Sequence, residues 1–247
     1  MRTEAEREEA NRLFSTGLSA WQIAKAMGIP RSTIRDWVEP GRQDRQRYTP
    51  VTRLPRKVDF IALPKHDHAY LLGLYLGDGT ISGSRRGVYR LRIFMDSRCP
   101  KIIGETVRAM QAVMPHNKVN VQKKPYNCVE ISCYSKLWPE LFPQHGQGPK
   151  HTRRIELVPW QERAVARCPW QFVRGLIQSD GCRVINRVNG GEYPRYLFSQ
   201  VSDDIRKIFC EALDFIGVEW KQNRWNSISV ARRQGVELLD SFIGPKA

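Results

Sequence analysis

The chain has 247 residues, of which 41% are hydrophobic and 10% aromatic; that is enough for one or two domains with real cores and excludes a disordered basic tail. Lys and Arg number 40 against 25 Asp and Glu, a formal net charge of +15, and so large an excess points to a polyanionic partner. No stretch approaches the ~20 apolar residues of a membrane span, the opening MRTEAEREEA lacks the apolar core of a signal peptide, and the 6 cysteines form no CxxC pair, so the expectation is a cytoplasmic, nucleoid-associated protein with reduced thiols and no zinc knuckle.

Residues 4–39 read as three short helices. Glu4–Ser15 is closed by Gly17, Ser19 caps Ala20–Met27, and Pro30 opens Arg31–Val38 at a first-turn position. Ile23, Ala24, Ile29, Ile34 and Trp37 are spaced to make a small core. The pattern resembles a helix-turn-helix of resolvase or transposase type, with Arg31, Ser32, Thr33 and Arg35 on the helix that would enter a major groove. A helical hairpin that only packs on the rest is the alternative.

Residues 41–65 change character. Prolines break helices, and Arg42, Arg45, Arg47, Arg53, Arg56 and Lys57 supply charge. Either a basic strap along a phosphate backbone or a solvated tether fits. His66-Asp67-His68 precedes an apolar run, so Asp67 is expected to act as a helix N-cap rather than as one of a group of metal ligands.

From residue 66 the chain parses twice in the same way. Leu71-Leu72-Gly73-Leu74-Tyr75-Leu76-Gly77-Asp78-Gly79 is matched by Val173-Arg174-Gly175-Leu176-Ile177-Gln178-Ser179-Asp180-Gly181. Gly73 and Gly77, like Gly175 and Ser179, are four apart and share one helical face. Such small residues let two helix backbones approach at or below the usual ~8–10 Å. Gly79 and Gly181 are expected to close the helices in the left-handed conformation, with Asp78 and Asp180 in the last turn. A carboxylate there opposes the helix dipole, which a cation would offset, and Mg²⁺ suits carboxylates and phosphate oxygens. A bare Asp-Gly turn signal explains one copy more easily than two with matched flanks.

After helix 68–77 come strands near 80–84 and 88–96, a helix near 100–114, strands near 118–124 and 127–133, and a helix near 135–142. The second unit has helix 169–179, strands near 182–188 and 195–201, helix 203–216, strands near 218–223 and 226–231, and helix 233–242. Both units end in one tripeptide, Gly148-Pro149-Lys150 and Gly244-Pro245-Lys246. The implied class is α+β: two pseudo-twofold αββαββα repeats (66–150 and 151–247), with antiparallel sheets facing the nucleic acid, behind a small all-α domain (1–40) and a basic linker (41–65). Strand alternation puts Arg90 and Arg92 on one face and Leu91 and Ile93 on the other. Arg85 and Arg86 in the preceding hairpin, with Lys123, Lys124, Arg183, Arg187, Arg195, Lys221, Arg224, Arg232 and Arg233, extend a basic surface fit for a major groove.

The paired motifs resemble the LAGLIDADG homing endonucleases of the single-chain, two-repeat kind, over about residues 66–247. The first Asp of the family name is replaced by Leu76 and Gln178, and Arg174 stands where a small apolar residue is usual, so it is expected to point outward; the last Asp and both closing glycines are kept. The resemblance implies an Mg²⁺-dependent, site-specific endonuclease acting on double-stranded DNA as a monomeric pseudo-dimer. Two or more divalent ions would be held by Asp78 and Asp180, with Gly77 and Ser179 as further candidate ligands. Lys150 and Lys246 would act near the attacking water, or would be ordinary phosphate contacts. A non-catalytic transcription regulator on the same scaffold is the rival, because a separate helix-turn-helix is unusual for the family; an RNA maturase is a third class. The termini carry no splice-junction Cys, Ser or Asn, which disfavours an intein origin.

Overall fold

A computed structural model of the chain describes residues 3–39 and 57–243. The chain divides into two compact units, Met1–Leu54 and Pro55–Ala247.

In the first unit, α1 (Glu4–Ser15), α2 (Ala20–Met27) and α3 (Arg31–Val38) fall where the capping residues place them. Thr3 and Ser19 each form a full capping box, with Glu6 and Gln22 bonding back to the cap. Gly28 ends α2 in the left-handed conformation at φ 64°. Ala10, Ile23, Ile29, Ile34 and Val38 are buried together, and Ala24 and Trp37 pack on them. The expected core is therefore present, with Ala10 and Val38 added.

The second unit carries the duplication. Repeat 1 runs α4 (Lys65–Leu76), β1 (Gly79–Gly83), β2 (Tyr89–Asp96), α5 (Pro100–Val113), β3 (Val119–Lys124), β4 (Cys128–Ser135) and α6 (Trp138–Leu141). After α7 (Pro159–Arg167), repeat 2 runs α8 (Pro169–Asp180), β5 (Gly181–Val188), β6 (Gly191–Ser199), α9 (Asp203–Phe215), β7 (Lys221–Arg224), β8 (Ser227–Val230) and α10 (Arg233–Phe242). The two sheets have the same antiparallel order, β1-β2-β4-β3 and β5-β6-β8-β7. Register makes the repeats superimposable on paper: Gly79 pairs with Ile93 and Ile93 with Ile131, as Gly181 pairs with Phe198 and Phe198 with Ile228.

One apolar core spans both repeats, and α4 and α8 form its centre. A Cβ at Gly73 would meet the Phe172 carbonyl oxygen and lie 2.8 Å from the Leu176 nitrogen; one at Gly175 would meet the Tyr70 oxygen and lie 3.0 Å from the Leu74 nitrogen. The small-residue stripe is therefore the contact line of the helix pair. Tyr70 donates to Gln178 at 2.5 Å across it.

Five local expectations are corrected. Gly79 and Gly181 are not left-handed caps: each begins a strand, and Gly181 is extended at φ −102°, ψ 167°. They must be glycine because a Cβ would lie 2.8 Å from the Tyr75 oxygen or from the Ile177 Cα. Asp67 is no N-cap, since α4 begins two residues earlier behind Pro64. Arg174 does not point outward but bonds Glu105 of α5 at 2.6 Å, part-buried. Helix α7 was not anticipated, and β6 begins at Gly191 rather than near 195. Exposed ends of β5 and β6 lack the apolar alternation that marks a strand.

Candidate functional site

The two motif helices deliver their carboxylates to one place, by slightly different routes. Helix α8 includes Asp180 as its last residue, whereas α4 stops at Leu76, so that Gly77 is the cap and Asp78 lies beyond the last turn. Lys150 marks where they meet. Burial pushes its ammonium pKa down to about 8, against the opposing pull of the charges of Asp180 and Asp78. A Cβ at Gly77 would lie 2.5 Å from that of Ser179 and 3.1 Å from Asp180 Oδ2, so the ends of the two motifs touch.

Lys150 has a definite structural partner set. Its Nζ donates to the carbonyl oxygens of Tyr75 (2.5 Å), Leu76 (2.8 Å) and Gly77 (2.5 Å). These are orphan acceptors at the C-terminus of α4, where a cation is favoured by both hydrogen bonding and the helix dipole. Lys150 thus offsets the negative helix end that the sequence argument assigned to a metal. The Gly77 carbonyl is engaged by Lys150, and the Ser179 hydroxyl donates to Gly175 (3.0 Å) and Leu176 (2.9 Å) of its own helix. Lys246 lies outside the described residues. If Lys150 also serves chemistry, Lys150→Met should slow cleavage more than it weakens DNA binding; equal losses of cleavage, binding and stability, read in parallel assays, would leave it as a helix cap alone.

Gln200 escaped the sequence reading. Its Nε2 donates to Asp180 Oδ2 at 2.5 Å, which fixes the carboxylate from the end of β6. No repeat signal could have flagged it. Gln200 lies two residues beyond Phe198 as Met95 lies two beyond Ile93, so in the register of the sheets its counterpart in repeat 1 is a methionine, which cannot donate.

Among the described residues no group of three or more His, Cys, Asp or Glu is placed to hold a metal ion. The buried His68 packs between Phe142 and Trp160, and burial lowers its pKa to about 4, so it is a neutral core residue. Two carboxylates beside backbone carbonyls are hard oxygen donors, and such a set fits a cation that keeps much of its water.

The sheet faces turned away from the helices are polar and basic. In repeat 1, Arg90 and Arg92 share that face with Glu130, Ser132, Asn120, Gln122 and Lys124, while Leu91, Ile93 and Ile131 face the core. Alternation with Val129 and Ile131 puts Glu130 on this face, but says nothing of its burial or its partners. It is 3% exposed and pairs with Arg90 and, at 3.2 Å, with Lys124. Burial pushes its pKa up, but the hydrogen bond from Lys124 and the charge of Arg90 outweigh this, and the net shift is down.

Register reassigns three of the expected contacts. Lys123 pairs with Val129 and so has the parity of the core side. Arg183 pairs with Tyr196, and both bond Asp240 of α10, Arg183 through its Nε at 2.7 Å; it clamps sheet to helix. Arg187 has the same parity and bonds Glu192 at 2.9 Å. Arg224 pairs with Ser227 on the outer face, Arg86 is exposed in the turn between β1 and β2 at φ 63°, and Arg85 precedes it in that turn. In the first unit Arg31 and Ser32 are exposed and Thr33 and Arg35 half-buried along α3.

Residues 1–39 match the family model of a homeodomain-like domain. No curated protein matches the chain. Similar solved structures include I-DmoI in complex with DNA and Ca, at 19% identity over 72% of this chain and 89% of that one, TM-score 0.49. The homing endonuclease I-WcaI bound to its DNA recognition sequence is 14% identical over 75% and 83%, TM-score 0.48. The LAGLIDADG meganuclease I-AabMI bound to uncleaved DNA is 10% identical over 71% and 82%, TM-score 0.44. The chain is thus similar, in these comparisons, to LAGLIDADG homing endonucleases. Its two αββαββα repeats, read from its own topology, are the ground for the α+β assignment.

Proposed function

We propose that the chain is a site-specific endonuclease that hydrolyses double-stranded DNA with Mg²⁺. The observation that carries this is the convergence of Asp78 and Asp180, from two pseudo-equivalent helices, on one buried lysine. Like charges are brought together at a cost that a pure binder has no reason to bear. Basic faces on both sheets supply the surface for a duplex. Divalent ions held by the two carboxylates would supply Lewis-acid stabilisation of phosphate charge and acidify water. Within this reading Gln200 fixes the orientation of Asp180, and Lys150 keeps a positive charge between the carboxylates. The protein acts as a monomeric pseudo-dimer in the cytoplasm, beside the DNA it cuts.

The decisive experiment is cleavage of a genomic or randomised duplex library with Mg²⁺, sequenced at the new ends. A reproducible site with double-strand breaks is the expected result. The homeodomain-like first unit favours a second reading, a transcription regulator that binds through α3 and does not cut. Tight, sequence-selective binding with no cleavage in Mg²⁺ or Mn²⁺ would establish that reading and retire the first.

A further inference from the structure

The outer faces of the two sheets are built on one register, yet their arginines are not equally engaged. Arg90 stands three residues before Ile93, and Arg195 three before Phe198, so they are equivalent positions. Each has a serine of the neighbouring strand beside it, Ser132 or Ser229. The acid differs: Glu130 of repeat 1 is replaced by Ser227 in repeat 2. Arg90 is consequently tied down, its Nη2 donating to Glu130 and, at 3.1 Å, to Ser132, with its guanidinium over the Tyr134 ring at 5.2 Å.

Arg195 has no such partner. Its Nε is buried without a hydrogen bond, as is the Ser229 hydroxyl. Both residues line a cavity of about 340 Å³ with Trp220, Lys221 and Glu219, and that acid is paired with Arg232 at 2.7 Å. In repeat 1 the Nε atoms of Arg90 and Arg92 are both buried and unbonded, but Arg90 is held through its Nη2 by Glu130 and Ser132, whereas the guanidinium of Arg92 lies 5.9 Å from the Phe94 ring. Buried donors without acceptors are costly and uncommon. A bound acceptor would remove the cost. A fork of N–H donors on a sheet laid in a major groove matches the O6 and N7 of guanine.

We infer that Arg92 and Arg195 each read a guanine, one in each half-site, and that Arg195 does so about two base pairs farther from the centre of the site. The offset follows from register. Moving from Ile93 toward Tyr89, or from Phe198 toward Gly191, leads away from the strand starts Gly79 and Gly181, which adjoin Asp78 and Asp180. Arg92 is one residue out from that level and Arg195 three. Two residues of strand span ~6.8 Å, two steps of a duplex at ~3.4 Å each. Arg90, held by Glu130, is left to contribute charge rather than base choice.

This rests on the duplex-DNA part of the proposed function but not on cleavage, so it is tested by binding. The full chain and its Arg92→Ala, Arg195→Ala and Arg195→Lys variants are used, without Mg²⁺, to enrich sequences from a randomised duplex library. Footprints fix the centre of the site, and circular dichroism checks folding. Each alanine variant should lose roughly tenfold or more of a guanine preference at a single position, in opposite half-sites, the Arg195 position lying about two base pairs farther out. Arg195→Lys should keep the salt dependence of binding yet lose the preference, because an ammonium lacks the planar fork. Uniform weakening with unchanged preferences, or positions equidistant from the centre, would overturn the inference alone. A wild-type chain that enriches no duplex sequence would overturn the DNA reading as well.

Discussion

Replacing Asp78 or Asp180 with Asn is expected to abolish double-strand cleavage of a bound site, by about a thousandfold or more, while the protein stays folded. The size follows from losing a carboxylate donor for a divalent ion, whose charge stabilisation is worth several kcal/mol, at ~1.4 kcal/mol per tenfold in rate. Folding should survive because Asn is nearly isosteric and its carbonyl oxygen can still accept from Gln200 at position 180. Stability should change little at Asp180, the last residue of α8, because relief of the ~0.3–1 kcal/mol opposition to the helix dipole is set against loss of a charge that offsets the buried Lys150 ammonium. Metal-free DNA affinity should also hold or rise, since repulsion from phosphate is relieved. Activity is therefore lost while stability is kept, which a merely structural role for either Asp does not produce. The measurement is cleavage with Mg²⁺ beside binding with Ca²⁺ and urea unfolding. Variants that cut at the wild-type rate would remove both residues from the chemistry.

Gly175→Val is expected to cost about 3 kcal/mol or more, a large part of the ~5–15 kcal/mol that holds a domain together. Mid-helix glycine is worth ~1 kcal/mol less than alanine on propensity alone, so a side chain here should help an isolated helix. In the folded protein the first added carbon already meets the Tyr70 carbonyl oxygen and lies 3.0 Å from the Leu74 nitrogen. Neither is the end of a flexible side chain. The helices would have to part, and because α4 and α8 are the centre of the shared core, every layer around them would loosen. The carboxylates would separate with them, so cleavage should fall along with stability. Gly104, on the exposed side of α5 with nothing within 4 Å of its Cβ position, is the control, and Gly104→Ala should be neutral or mildly stabilising. Urea unfolding of the variants decides it; a Gly175→Val protein as stable as wild type would mean that the helix pair is not packed as described.

The chain's own pattern was sufficient for the elements and for the duplication. Hydrophobic period, capping residues and the repeated Gly-x-x-x-small-Asp-Gly motif are local signals, and they placed α1 to α3 to the residue and the strands of both repeats mostly within two or three. The motif also carried the two carboxylates, because a residue type at fixed spacing survives without knowledge of neighbours. What depended on pairing was invisible. Alternation says that Arg90 and Arg92 share a face, but not that a buried Glu130 sits opposite and takes one of them. Arg183 and Arg195 look alike in sequence; one is bound to Asp240 on the helix side and the other faces outward, because strand register, not composition, assigns sides. Gly79 and Gly181 read as turn residues, yet they are required by the backbone of Tyr75 and Ile177, one turn back. Lys150 read as a charge near a phosphate, and only folding over a separation of some 75 residues brings it to the carbonyls at the end of α4. Side, partner and burial are properties of contacts between segments, and those exist only once each repeat has folded its strands against one another and onto its helices.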